Sequence, residues 1–181
     1  VFDAHVHLMP ARLPGSTDAR SGARYTRFGQ IVMADGERYA YMPCPVEDGV
    51  FSADALVYMM DRFGVDRAMI MQSMFFRTTA DVAEAVARYP DRLLGAMVIE
   101  PTDGRLEEMA QWRASGLTAV KYEMRGFTGP ASYPRLRLDQ PEMMDIFRQA
   151  GRLGITVVID PGPIGWQCYQ ADALEKVISA N

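Results

Sequence analysis

Two histidines, His5 and His7, stand one residue apart in the run Asp3-Ala4-His5-Val6-His7-Leu8, and the chain has no others. The run reads as the end of a β-strand. Side chains alternate along a strand, so both imidazoles point to one face, about 7 Å apart at the backbone. Two imidazoles so placed can converge on one cation, and Zn²⁺ or a similar borderline metal suits nitrogen ligands. The plainer alternative is two core histidines satisfied by hydrogen bonds, the usual outcome for an isolated HxH match. Position turns the balance toward a metal. The pair closes the first strand of a βα series, where the mouth of a closed barrel lies.

Four other residues carry candidate chemistry. Asp160, in Ile159-Asp160-Pro161-Gly162, ends the fifth strand of the series. It can ligate a metal through oxygen or serve as base or anchor. It can equally cap the turn before Pro161. Lys121 ends the fourth strand; it can bind a substrate carboxylate, or pair with Glu123 or Asp160. A structural or substrate-binding role is preferred for it. Arg77 and Arg125 follow the second and fourth strands, in the βα loops that build barrel active sites, and either can clamp a carboxylate in two-pronged fashion. For each arginine a solvated surface position is the simpler expectation. Phe75 and Phe76 can line an aromatic pocket or pack on a helix. The pairs Met59-Met60 and Met143-Met144 read as helix core filling.

The elements that must position these groups alternate along the chain. Apolar strands are expected at Val1–Leu8, Ala68–Gln72, Leu93–Ile99, Leu117–Tyr122 and Ile155–Ile159. Ser52 reads as an N-cap before a helix carrying Leu56, Met59, Met60 and Phe63, stopped by Gly64. Thr79 caps a helix with Val82, Val86 and Tyr89, ended by Pro90. Further helices are expected at about Leu106–Ser115, from Pro141 to Gly154, and at about Ala171–Ser179. Met9 to about Phe51 reads as a long irregular insertion, rich in Gly, Pro, Arg and Tyr. Continuous apolar strands alternating with helices predict a parallel sheet buried on both faces. Either an open doubly wound sheet or a shortened (β/α)₈ barrel fits, and no GxGxxG or Walker motif follows the first strand to favour the former.

The chain has 181 residues, with 19 Lys plus Arg against 23 Asp plus Glu, a net charge of −4. This acidic balance disfavours nucleic acid as a partner. With 49% hydrophobic residues the chain has enough apolar material for a core, so a disordered tail is excluded. No apolar run is long enough for a membrane span. Cys44 and Cys168 form no CxxC pair, so a reducing, cytoplasmic setting is the default expectation. The chain opens inside an apolar run and stops directly after a helix-like stretch, which suggests a fragment of a longer chain.

Five blocks, in order, resemble the amidohydrolase-related family of metal-dependent hydrolases, the group that includes aminocarboxymuconate-semialdehyde decarboxylase. They are Phe2-Asp3-Ala4-His5-Val6-His7, Met60-Asp61-Arg62-Phe63-Gly64-Val65-Asp66-Arg67-Ala68, Tyr89-Pro90-Asp91-Arg92-Leu93-Leu94-Gly95, Gly116-Leu117-Thr118-Ala119-Val120-Lys121, and Gly151-Arg152-Leu153-Gly154 through Asp160. The resemblance implies a (β/α)₈ TIM barrel of which about the first five βα units are present, residues 1–181 forming one partial domain. It implies a mononuclear divalent metal, Zn²⁺ with Mn²⁺ as the other candidate, on His5 and His7. The family places a further histidine at the end of the fifth strand, and here that position is Asp160. Relatives with lactonase-like activity that work without a tightly held metal keep a metal-independent route open. At the Lys121 position, binuclear superfamily members carry a carbamylated lysine.

The expected function is hydrolysis of an ester, lactone or amide of a small carboxylated substrate by metal-activated water. Decarboxylation of an aromatic or dienoic acid is the alternative, and a non-catalytic barrel fragment or binding module the second. A homo-oligomer is expected, because a barrel lacking strands exposes sheet edges.

Overall fold

In the computed structural model the described residues are 1–11, 15–17, 22–40, 49–72, 77–101, 106–124 and 136–180. Along the chain come β1 (Phe2–Val6), β2 (Arg24–Tyr25), β3 (Gln30–Val32), β4 (Arg38–Ala40), α1 (Ala53–Phe63), β5 (Arg67–Ile70), α2 (Thr79–Arg88), β6 (Leu93–Met97), α3 (Leu106–Ala114), β7 (Ala119–Glu123), α4 (Pro141–Leu153), β8 (Thr156–Asp160) and α5 (Ala171–Ala180). The five long strands form one parallel sheet in the order β1-β5-β6-β7-β8.

That order is sequential, and all five helices pack on the same face. Leu56, Val82, Val86, Met109, Ile146, Phe147 and Val177 from the helices share one core with Ala68, Ile70, Leu93, Met97, Val120 and Tyr122 from the strands. A doubly wound sheet reverses its strand order and covers both faces with helices. A sheet wound in one direction, with helices outside only, curls toward a barrel. The structure is thus a five-stranded half-barrel. Its inner face carries a second, small cluster of Met71, Ala96 and Ala119, with Met69 and Val158 against it.

Local signals fix the helix ends. The Ser52 hydroxyl accepts the Ala55 N–H at 3.2 Å, which satisfies one orphan donor of α1. Gly64 (φ 68°) and Gly154 (φ 62°) close α1 and α4 in the left-handed conformation, and Pro141 opens α4 where its missing N–H costs nothing. The cap of α2 is Thr78 rather than Thr79, without a side-chain bond to the helix.

Two further expectations are revised. Of the α1 stripe only Leu56 and Met60 are buried; Met59 is 42% and Phe63 71% exposed, so the Met59-Met60 pair is only half core. The insertion after β1 is not wholly irregular. β2, β3 and β4 form an antiparallel sheet over its own cluster of Met9, Ala23, Tyr25 and Ile31. Strands of two or three residues are too short to register as a periodic pattern, which is why the segment reads as loop. Backbone bonds between Met9 and Phe51 at 2.8–2.9 Å tie its two ends together.

Candidate functional site

Parallel strands place all their C-terminal ends on one edge. His5 near the end of β1, Glu123 at the end of β7 and Asp160 at the end of β8 therefore share that edge, with His7 just beyond β1. Alternation decides which face each side chain takes. Val6 and Leu8 pack on the helix side, so His5 and His7 face the inside. Val120 and Tyr122 also belong to the helix-side core; Ala119, Lys121 and Glu123 therefore face the inside with them.

The two imidazoles converge. Their Nε2 atoms are 3.1 Å apart and their rings meet edge-on, with centroids 4.9 Å apart. His7 Nδ1 lies 2.9 Å from the carbonyl oxygen of Met71, the residue that follows β5. A carbonyl only accepts, so Nδ1 carries the proton and Nε2 presents a lone pair. This is the supporting bond that commonly fixes a metal-ligating histidine. Two nitrogens at about 2.0–2.1 Å on one tetrahedral Zn²⁺ are roughly 3.3 Å apart, close to the separation found here.

Electrostatics favour the neutral, ligating form. Burial, with the Lys121 charge and His5 adding to it, pushes the His7 imidazole down to about 4 from the usual 6.5, against the opposing bond to Met71. His5 is lowered as well, first by burial and then by Lys121, while Glu123, Asp3 and Asp160 pull the other way. Both rings are thus uncharged near neutrality. The donor set fits a borderline divalent cation, and the two histidines would supply two of its ligands. Among the described residues no group of three or more His, Cys, Asp or Glu side chains forms a complete cage.

Beside the histidines lies a buried ion pair. Lys121 Nζ is 2.8 Å from Glu123 Oε1, with side chains 4% and 7% exposed. Lys121 is therefore a neutralised cation rather than a lone clamp. Glu123 stands opposite Asp160 in the β7–β8 register. Asp160 Oδ1 accepts the Gly162 N–H at 3.0 Å, the turn-capping bond the sequence allowed for. Arg77 sits in the loop between β5 and α2, with a guanidinium nitrogen 3.8 Å from Glu100 Oε2. Arg125, Phe75 and Phe76 lie outside the described residues.

Sequence reasoning passed over Glu123 except as a partner for Lys121. The signal was present: in Lys121-Tyr122-Glu123 the outer residues share one strand face. The Met71 carbonyl carries no side-chain signature and is visible only in the fold.

Comparison with known proteins agrees with the half-barrel fold. No curated protein matches the sequence. Among solved structures, a probable 2-pyrone-4,6-dicarboxylic acid hydrolase from Acinetobacter baumannii, with citric acid bound, is 19% identical with a TM-score of 0.59, over 87% of this chain and 48% of that one. An apo protein of Agrobacterium tumefaciens is 14% identical with a TM-score of 0.51, over 99% and 65%. A 5-carboxyvanillate decarboxylase from Novosphingobium aromaticivorans, with bound manganese, is 18% identical at a TM-score of 0.46, over 69% and 38%. The chain thus spans about half the length of the first of these. The amidohydrolase family model matches residues 2–178, nearly the full length, and the chain belongs to that family.

Proposed function

We propose that this chain carries the first half of a metal-dependent hydrolase site, acting on an ester, lactone or amide of a small carboxylated substrate. One observation carries the proposal: two imidazole Nε2 atoms 3.1 Å apart at the mouth of the half-barrel, one of them held in its ligating tautomer by a backbone carbonyl. His5 and His7 hold the cation in this account. A divalent ion there supplies Lewis-acid polarisation of a carbonyl and acidifies water.

The remaining roles belong to the chain itself. Asp160 accepts the proton that the attacking water gives up, its carboxylate kept in place by the Gly162 N–H. Lys121, paired with Glu123, holds that carboxylate on the inner face, and Arg77 serves as the contact for a substrate carboxylate. A carboxylated substrate is also in keeping with the citric acid in the Acinetobacter structure.

The test is turnover of a panel of lactones, esters and amides bearing a carboxylate, run with Zn²⁺ and Mn²⁺, beside a panel of aromatic acids monitored for CO₂ release. Hydrolysis that vanishes in the double variant His5→Ala, His7→Ala supports the proposal. CO₂ release in its place assigns a decarboxylase. Hydrolysis that survives the double variant removes the histidines from the mechanism.

A further inference from the structure

Glu123 presents an unusual arrangement. One carboxylate oxygen is bound by Lys121 at 2.8 Å and the side chain is 7% exposed. The other, Oε2, is fully buried with no hydrogen-bond partner among the described residues. A buried carboxylate oxygen left without a donor is costly, and native structures keep few such groups. The fold does not need this one. Leu117, Val120 and Tyr122 already hold β7 to the helices, and Tyr122 spends its hydroxyl on the Ile99 carbonyl at 2.9 Å. Glu123 faces the other way, at the C-terminal end of its strand, across from Asp160 and on the face that carries His5 and His7.

We infer that Glu123 Oε2 is a ligand acceptor: it receives a hydrogen bond from a hydroxyl or N–H group that the substrate carries beside its carboxylate. Lys121 fixes the orientation of the carboxylate, leaving Oε2 as the unpaired oxygen. A donor on the ligand then satisfies a group that is otherwise buried and unpaired, and a ligand without that donor leaves it so. Discrimination of this kind is much stronger than discrimination by apolar contact. The inference rests on the preceding assignment of the inner face as the pocket of a carboxylated small molecule. It narrows the substrate class to hydroxy- or amino-carboxylates.

Calorimetric binding of two probe series to the zinc-supplemented full chain tests it. One series is succinate, malate and aspartate; the other is benzoate, 2-hydroxybenzoate and 2-aminobenzoate. Within each, only the donor changes. We expect the hydroxyl or amino member to bind on the order of 10- to 100-fold more tightly than the unsubstituted acid. That preference should collapse in Lys121→Met, Glu123→Leu. This double variant removes both charges together and keeps the volume filled, so the fold survives where a single change would strand one buried charge. Equal affinity within both series, no binding of any probe at millimolar concentration, or a preference unchanged in the double variant overturns the inference. Zinc binding measured on the same samples separates the two accounts. Zinc bound without donor preference overturns this inference alone. Donor preference without zinc overturns the metal assignment alone.

Discussion

His7 is held between two demands: burial, which favours its neutral form, and a backbone carbonyl, which fixes its proton on Nδ1. The consequence for stability has a definite sign. Between about 4 and 6.5 the unfolded chain binds a proton at this position and the folded chain does not. Stability is therefore lost as pH falls through that window, and His7 contributes no pH dependence above it. His7→Asn keeps an N–H for the Met71 carbonyl and removes the titration. Urea unfolding at intervals from pH 7 to pH 4 should show the parent chain losing more stability than the variant. Parallel losses would contradict the assignment. Much of the residue-scale site was legible beforehand. The spacing of His5 and His7, and the rule that strand side chains alternate, already placed two imidazoles on one face. The carbonyl beneath His7 and the unpaired oxygen of Glu123 were not legible, because each depends on how a neighbouring strand lies. No side-chain pattern reports that.

At the scale of elements, close packing of helices on the outer face controls what the strands tolerate. A Cβ added to Gly95 on β6 would stand 2.5 Å from Val82 Cγ1 and 2.7 Å from Leu117 Cδ2. Both neighbours are themselves fully buried, so neither can withdraw freely. Gly95→Ala should cost about 1–3 kcal/mol of stability by overpacking, read as a lowered midpoint in denaturant with an unchanged slope. A neutral effect would mean that α2 sits further from β6 than the structure has it. Tyr122→Phe should cost about 1 kcal/mol by the same measurement, because it strands the buried Ile99 carbonyl; an unchanged midpoint would show that carbonyl finding another donor. The parallel strands and all five helices were readable from the sequence. Among the helices, α1, α2 and α4 pair an apolar stripe with a punctuating Ser, Gly or Pro. The β2–β3–β4 sheet was not, since its strands are two or three residues long and their pairing is antiparallel and local. The exposed half of the α1 stripe was misjudged because periodicity reports which residues share a face, and not whether anything covers it.

For the whole molecule, the half-barrel ends in two strands, β1 and β8, that each pair on one side only within this sheet. Exposed apolar side chains include Val1 and Phe2 at β1 and Met59 and Phe63 on α1. An open strand beside uncovered apolar surface is a template for association. We expect the 181-residue chain to sediment with concentration-dependent self-association, and Phe2→Lys with Phe63→Lys to shift it toward monomer. A monomer across the whole concentration range would show that the edge is protected. Among the described residues no helix is long and apolar enough to cross a membrane.

The central claim is that His5 and His7 form the root of a metal site, and metal content tests it most directly. Elemental mass spectrometry on protein purified without chelator, beside the His5→Ala, His7→Ala variant, gives the answer without knowledge of the substrate. The account predicts Zn²⁺ or Mn²⁺ bound to the parent chain and lost from the variant, while the variant keeps its fold by circular dichroism. Equal metal in both, or none in either after incubation with excess Zn²⁺, would contradict it and move the chemistry to Asp160 and Glu123.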